Sequence, residues 1–426
     1  MKSLDQIAAE LQGYDPQALS ASAVNAFLDK LVSPVGDTDT VGVFDALGRV
    51  LSEDVISPIS VPPHDNSAMD GFAFDGAQLN SGQPLTLRVL SGTAFAGKAW
   101  SGQVGPGECV KIMTGAIMPA SLDTVVPQEL TQAGDGTITI PADALRRGDN
   151  RRLLGEDLMA GQPALRAGTK LGPAALGLIA SLGLPKVQVY RRLKVAYFST
   201  GDEILSLGEA PREGAVYDSN RYTVFGLLTR LGVEVIDMGV VKDDPATLEA
   251  AFRAAAAQAD AIITSGGVSV GEADHTKAMM KKLGDVAFWR IAMRPGRPMA
   301  VGRLESGAIM FGLPGNPVAV MVTFLAFVRP ALLKLMGVAD VAAHTPPMLK
   351  AKSLEPMRKK PGRTEYQRGT VSTAPDGTLQ VCTTGNQGSG VLSSMVQGNG
   401  LIVLHHGQGN VAVGDEVDVM VFDGVI

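Results

Sequence analysis

Four clusters in the middle of this chain have the residue types and spacing that chemistry on a phosphate requires. Asp202 and Glu203 follow Ser-Thr-Gly, and Asp243 and Asp244 stand before a proline. Ser265-Gly266-Gly267 is followed by Asp274, and Leu313-Pro314-Gly315-Asn316-Pro317 closes the set. A glycine-rich turn offers backbone N–H groups to a phosphate, and carboxylates beside it suit a hard cation that takes oxygen ligands. Any one of these acids has a plainer reading as a helix N-cap or solvated loop, and for Asp218 and Asp244 that reading is preferred. Acidic clusters and a Gly-Gly turn gathered on one rim read as a site.

One rim is what the surrounding elements predict. VAYFSTGDE (195–203) is a continuous apolar run, the pattern of a strand covered on both faces. A helix capped by Asp218 and Ser219 runs to Leu231 and stops at Gly232. VEVIDM is the next strand, Asp244-Pro245 opens the next helix, and AIIT (261–264) is a third buried strand. AIMFG is a fourth, followed by a helix from Pro317. This is βαβαβ wound into an open α/β sheet, whose ligands bind at the carboxyl ends of the strands.

With 426 residues, the length prior gives about three domains. A hydrophobic content of 45% supports several cores, and a formal charge of −6 argues against non-specific nucleic-acid binding, so any anion site must be local. Two distant cysteines, Cys109 and Cys382, fit a reducing cytosol better than a disulfide framework. No basic region followed by an apolar core opens the chain, and the longest apolar run, 318–328, is too short for a bilayer. A soluble, cytoplasmic protein is expected, with no membrane and no nucleic-acid partner.

The chain outside the α/β stretch reads as three further pieces. Residues 1–57 are mainly helical, with apolar spacing at Val24, Phe27, Leu28 and Leu31. Short alternating strands (PLTLRVL, ECVKIM, DTVVPQE, GTITI) then make a small β module, with Gly134-Asp135-Gly136 as a hairpin signal. After Leu335 the pattern is all β, a small barrel or sandwich. The fold class expected is multidomain α/β plus β: a central open α/β sheet domain, an inserted small β domain, a discontinuous helical N-terminal domain and a C-terminal β-barrel-like domain. Its boundaries are set at 1–57 with 141–186, 58–140, 187–338 and 339–426.

Nine stretches, in order, carry a resemblance: DNSAMDG (65–71), MTGA (113–116), RRLLGED (151–157), FSTGDE (198–203), YDSN (217–220), DDP (243–245), SGGVSVGEADHTK (265–277), GLPGNPV (312–318) and PGRTEYQRG (361–369). The sequence resembles the MoeA family of molybdopterin molybdenumtransferases, related to the insertase domain of gephyrin. The resemblance implies an elongated four-domain homodimer that takes adenylylated molybdopterin and molybdate to molybdenum cofactor and AMP, with Mg²⁺. It places the site between the α/β and C-terminal domains of one subunit, closed by the inserted domain of the other. Partners expected on this basis are the adenylyltransferase of the same pathway and recipient molybdoenzymes.

Glu203 and Asp274 are the candidates for both Mg²⁺ binding and catalysis, because two carboxylates plus phosphate oxygens satisfy that ion. Only the resemblance raises Asp70, Asp157 and Thr114 to site residues. Asp243, Ser265, Gly266, Gly267, Pro314 and Pro317 are expected to shape the substrate site from the rim. Fixed guanidinium forks suit a tetrahedral dianion, and by resemblance Arg294, Arg368 and Ser389 hold molybdate while Arg290 and Lys277 serve the pterin phosphate or AMP. Many relatives carry Lys at the positions of Arg290, Arg294 and Arg297, so a role needing a neutral amine is lost here. Trp289 is read as packing, and adjacent His405 and His406 as a poor metal pair. The alternatives are a molybdopterin adenylyltransferase of the related α/β fold and a non-catalytic, gephyrin-like scaffold.

Overall fold

The computed structural model describes residues 2–268 and 275–426. Asp274, one of the two expected metal carboxylates, therefore lies outside the described residues.

The central strand Lys194–Thr200 is buried along almost its whole length. Its side chains alternate between two cores. Val195 and Tyr197 face one that contains Val224, Leu228 and Phe324; Ala196 and Phe198 face the other, with Leu248, Phe252 and Met280. Helix Ser219–Leu231 and the long helix from Pro317 cover one face, and helices Pro245–Gln258 and His275–Leu283 the other. The sheet runs Glu234–Val241, Lys194–Thr200, Ala261–Ser265, Ile309–Leu313, Pro298–Leu304, Gly284–Arg290. The first four strands are parallel and the last two antiparallel. The chain leaves Lys194–Thr200 toward one edge and returns to pair Ala261–Ser265 on its other side, which creates a switch point at the carboxyl ends of those two strands. Ser199 and Ser265 are paired there.

The long apolar helix is a core element. It spans 19 residues, Pro317–Leu335, so it exceeds the run the sequence suggested, yet 78% of its apolar window is buried inside the fold. A π turn at Phe324–Val328 precedes Pro330, whose missing N–H leaves no ordinary bond to make at that point.

The C-terminal strands Met348–Ser353, Thr364–Thr373, Leu379–Thr383, Gly400–Leu404 and Glu416–Val421 form a closed five-stranded barrel, because Thr364–Thr373 pairs with both Leu379–Thr383 and Gly400–Leu404. Two contacts dock it on the α/β layer. Met293–Arg294 pairs in parallel with Thr364–Glu365, and the Val318 N–H donates to the Ser389 carbonyl at 3.1 Å. Residues 71–140 contain a separate six-stranded sheet, with the expected hairpin pairing Gln132 and Ala133 with Thr139 and Ile138.

The pieces flanking that insert do meet, but differently from the helical picture. Thr38–Gly42 pairs with Lys186–Tyr190, Val55–Ile56 with Pro163–Leu165, and Leu51, Leu171, Ile179 and Val189 share a core. The helices Leu4–Ala9 and Ala21–Leu31 go elsewhere: Ile7, Val24, Phe27 and Leu28 join the α/β core. Phe27 packs edge-on against Trp289, whose indole N–H reaches the Tyr14 hydroxyl at 2.9 Å. The apolar stripe was plain in sequence; its partner surface was not.

Candidate active site

The switch-point rim opens into two adjoining cavities. One, of about 480 Å³, is lined by Glu203, Gly266, Gly267, Arg294, Arg297 and Ser389 among others. The second, of about 580 Å³, lies against Thr200, Asp218, Asn220, Ser265, Pro317 and Gly390. Glu203, Gly266, Gly315 and Asn316 belong to both.

Local backbone explains the shape. Gly266 and Gly267 have φ of +90° and +65°, a region that L side chains avoid. A Cβ on Gly266 would sit 2.4 Å from the Thr200 carbonyl oxygen, and one on Gly267 2.4 Å from the Thr276 hydroxyl. Gly266→Ala is therefore expected to cost roughly 2–4 kcal/mol, from left-handed strain plus overpacking against fixed backbone, read as a lower urea midpoint. Beneath the turn, the Tyr197 hydroxyl bonds Ser265 Oγ at 2.7 Å and Ser199 Oγ at 2.9 Å, all three buried. Burial pushes the Tyr197 phenol up, so this is a neutral brace. The Ser265 hydroxyl is spent on that brace.

Glu203 is uncommitted. Among the described residues its carboxylate has no hydrogen-bond or ion-pair partner, and it folds back over Gly201, where a Cβ would lie 2.7 Å from Oε2. Asp243 accepts from the Thr276 hydroxyl at 3.4 Å, one residue layer behind Gly267. Asp244 is what its plain reading said, an N-cap accepting from the Thr247 N–H at 3.0 Å.

Arg294 and Arg297 give the first cavity a cationic wall, and the barrel's buried Arg368 lines neither cavity. Arg368 is 1% exposed, and among the described residues no carboxylate pairs with it. Its Nε donates to Ser394 Oγ at 2.9 Å and one Nη to the Gly388 carbonyl at 2.9 Å. Burial, and then the Arg294 guanidinium nearby, pull its pKa down to about 10. Gln387 clamps the same segment, accepting from the Arg368 N–H and donating to its carbonyl. Two guanidinium groups close enough to repel, with no carboxylate paired to either among the described residues, are what a small dianion would neutralise.

The structure thus gathers Glu203, Gly266, Gly267, Arg294, Pro314 and Ser389 round one cavity, with Ser265 and Pro317 at its neighbour. Lys277 stands on the first turn of helix His275–Leu283, and Arg290, exposed at the end of its strand, lines neither cavity. Asp70, Thr114 and Asp157 lie away, in or beside the inserted sheet. Asp70 accepts from both the N–H and the hydroxyl of Thr114 at 2.7 Å, which hold its carboxyl below the usual range. Arg151 pairs with Asp65 at 3.6 Å rather than with Asp157. Sequence reading named Arg297, in Arg-Pro-Gly-Arg-Pro, without giving it a role, and gave none to Gln387 or Thr276. It also read Asp218 as a cap alone.

Fold and site define a class: an α/β sheet with a glycine-turn cavity at its switch point, lined on one side by arginines and docked against a β-barrel. Comparison with known proteins agrees. Residues 19–183 match the MoeA N-terminal region (domain I and II), 196–334 a probable molybdopterin binding domain, and 350–422 the MoeA C-terminal region (domain IV). A molybdopterin molybdenumtransferase of Haemophilus influenzae is 43% identical over 95% of this chain and 98% of its own, and one from Nostoc sp. is 37% identical over 90% and 88%. The crystal structure of a molybdopterin biosynthesis MoeA protein from Pyrococcus horikoshii OT3 superimposes with a TM-score of 0.79 at 26% identity, covering 95% of this chain and all of that one. The chain belongs to the MoeA family, the molybdopterin molybdenumtransferases. It is a transferase of molybdenum cofactor biosynthesis.

Proposed function

We propose that this enzyme inserts molybdate into adenylylated molybdopterin with release of AMP, in a Mg²⁺-dependent reaction, as a cytoplasmic homodimer. The observation that carries the reading is the single cavity between Glu203 and the Arg294–Arg297 wall, floored by the Gly266-Gly267 turn. Arg294, Arg368 and Ser389 hold the molybdate oxygens. The turn's N–H groups and Lys277 face phosphate, with Arg290 beyond. As two dithiolene sulfurs bind molybdenum, one oxo oxygen leaves as water with both thiol protons; a water adds to the phosphoanhydride, which breaks to leave a terminal phosphate on the pterin and to free AMP, and molybdenum keeps its oxidation state.

Glu203 fits a hard cation, because it is an oxygen donor with no other partner among the described residues; Asp274 is its proposed companion, and Asp243 sits behind. When bound, Mg²⁺ would neutralise charge on the phosphoanhydride as it breaks. The N–H groups of the Gly266-Gly267 turn hold the phosphate, Glu203 would hold the cation beside it, and the arginines keep the oxyanion beside the pterin. The adenylyltransferase of the same pathway supplies the substrate, and molybdoenzymes receive the product.

Asp70, Thr114 and Asp157 enter through the second subunit. The support is that they line neither cavity round Glu203 in one chain, while a partner's inserted sheet could close the open side. Mixing refolded Glu203→Ala and Asp70→Ala chains tests this. Each homodimer is expected to be inactive, and random mixing to restore about a quarter of wild-type AMP release, since a heterodimer keeps one intact site of two. No recovery would put both residues in the same subunit's site. Incubation with molybdopterin and ATP separates the adenylyltransferase reading, which requires formation of the adenylylated pterin.

A further inference from the structure

We infer that the second cavity is the seat of the pterin ring, with Asp218, Asn220 and Thr200 reading its amino-bearing edge. The inference rests on the proposed reaction and adds the direction in which the substrate lies.

Six buried side-chain atoms among the described residues lack a hydrogen-bond partner, and three of them belong to residues of this one cavity: Asp218 Oδ2, Asn220 Oδ1 and Thr200 Oγ1. Their residues are 4%, 8% and 3% exposed. Folded proteins leave few such atoms, because each forfeits its hydration without compensation. The geometry also fixes what each atom can do. Asp218 uses Oδ1 to accept from the Arg221 N–H at 3.1 Å, which leaves Oδ2 over. The Asn220 amide nitrogen donates to the Gly315 carbonyl at 2.8 Å, so its oxygen is the free end. The free oxygens of Asp218 and Asn220 can only accept, and the Thr200 hydroxyl can do so as well.

An acceptor-rich pocket selects a donor-rich ligand edge. The 2-amino-4-oxo edge of a pterin presents the amino N–H groups beside the ring N3–H. Adenine offers one amino group beside a ring acceptor, a poorer match to these atoms. Shape favours a flat ring over a ribose diol, because Val216 and Tyr217, both about half exposed, form an apolar margin, and the Tyr217 hydroxyl is tied to the Glu209 carbonyl at 2.8 Å. Polarity then orders the whole substrate. The acceptor cavity meets the arginine cavity at Glu203 and Gly266. A pterin seated by its amino edge points its opposite, dithiolene-bearing end toward Arg294 and Arg297, where the oxyanion is held.

The test is a fluorescence titration of the full-length protein at pH 7 with two probes, 6-hydroxymethylpterin phosphate and its 2-oxo counterpart, 6-hydroxymethyllumazine phosphate. The wild type is expected to prefer the pterin by roughly 10- to 100-fold, the range of one hydrogen bond to a charged acceptor. Asp218→Asn keeps an N-cap acceptor but turns the free oxygen into a donor. It should erase or invert that preference while leaving AMP affinity unchanged. Absence of preference in the wild type, whether both probes bind or neither does, overturns the inference. So does an Asp218→Asn protein that loses AMP affinity and keeps the pterin preference, which would seat the nucleotide there. No turnover enters the titration, so a failure of the insertion reaction itself would register separately, in AMP release.

Discussion

A Glu203→Gln enzyme is expected to keep its fold and lose roughly two to three orders of magnitude in turnover, the scale for removing one group that stabilises developing charge. Stability should stay within about 0.5 kcal/mol, because the carboxylate gives up no hydrogen bond or ion pair to the described residues. Gln keeps the side-chain volume over Gly201, whose φ of +144° admits no larger residue, and removes only the charge. The measurement is AMP release from adenylylated molybdopterin with molybdate, across a Mg²⁺ series. If Glu203 holds the cation, the residual rate should need more Mg²⁺ than the wild type does. A rate lost equally at every Mg²⁺ concentration would assign the carboxylate to positioning instead.

Much of the fold could be read in advance because its strongest signals are local. VAYFST carries no polar alternation, and burial on both faces of Lys194–Thr200 is the physical meaning of that pattern. Asp244-Pro245 starts a helix and Gly232, with φ +91°, stops one, each for a reason contained in a few residues. What sequence did not show was long-range choice. The Ala21–Leu31 stripe could have packed on any apolar face, and the antiparallel pair Gly284–Arg290 and Pro298–Leu304 has no local mark that sets it at the sheet edge.

The site divides in the same way. The Gly266-Gly267 turn and Glu203 were legible because backbone approach to a ligand needs glycine and a hard cation needs oxygen. Arg368 is marked as a site residue in sequence through resemblance alone. Its significance lies in burial with no carboxylate partner among the described residues, which depends on the barrel closing round it. Asp218 shows the opposite limit. Its capping bond was foreseen from one dipeptide, whereas the second oxygen, buried without a partner beside a cavity, emerges only in the folded chain.

Arg368 also carries the second large effect, on oxyanion affinity. Wild-type protein should gain about 2.7 kcal/mol of stability at molybdate a hundredfold above its dissociation constant, by mass action on the folded state. Arg368→Met should show no molybdate-dependent rise in melting temperature over the same range. Arg368→Lys should recover little, because an ammonium cannot reproduce the fork that spans Ser394 Oγ and the Gly388 carbonyl while facing a ligand. The reasoning turns on a comparison of terms. In the free protein the guanidinium is almost wholly buried, its pKa is pulled down to about 10, and Arg294 adds repulsion. A dianion between the two charges relieves both penalties at once, so binding draws on cost already present in the fold. Sulfate shares the tetrahedral shape and charge and should produce a weaker rise that also disappears in Arg368→Met. A molybdate-dependent rise that survives that substitution would place the oxyanion elsewhere and leave the buried arginine as a clamp for the 386–390 loop.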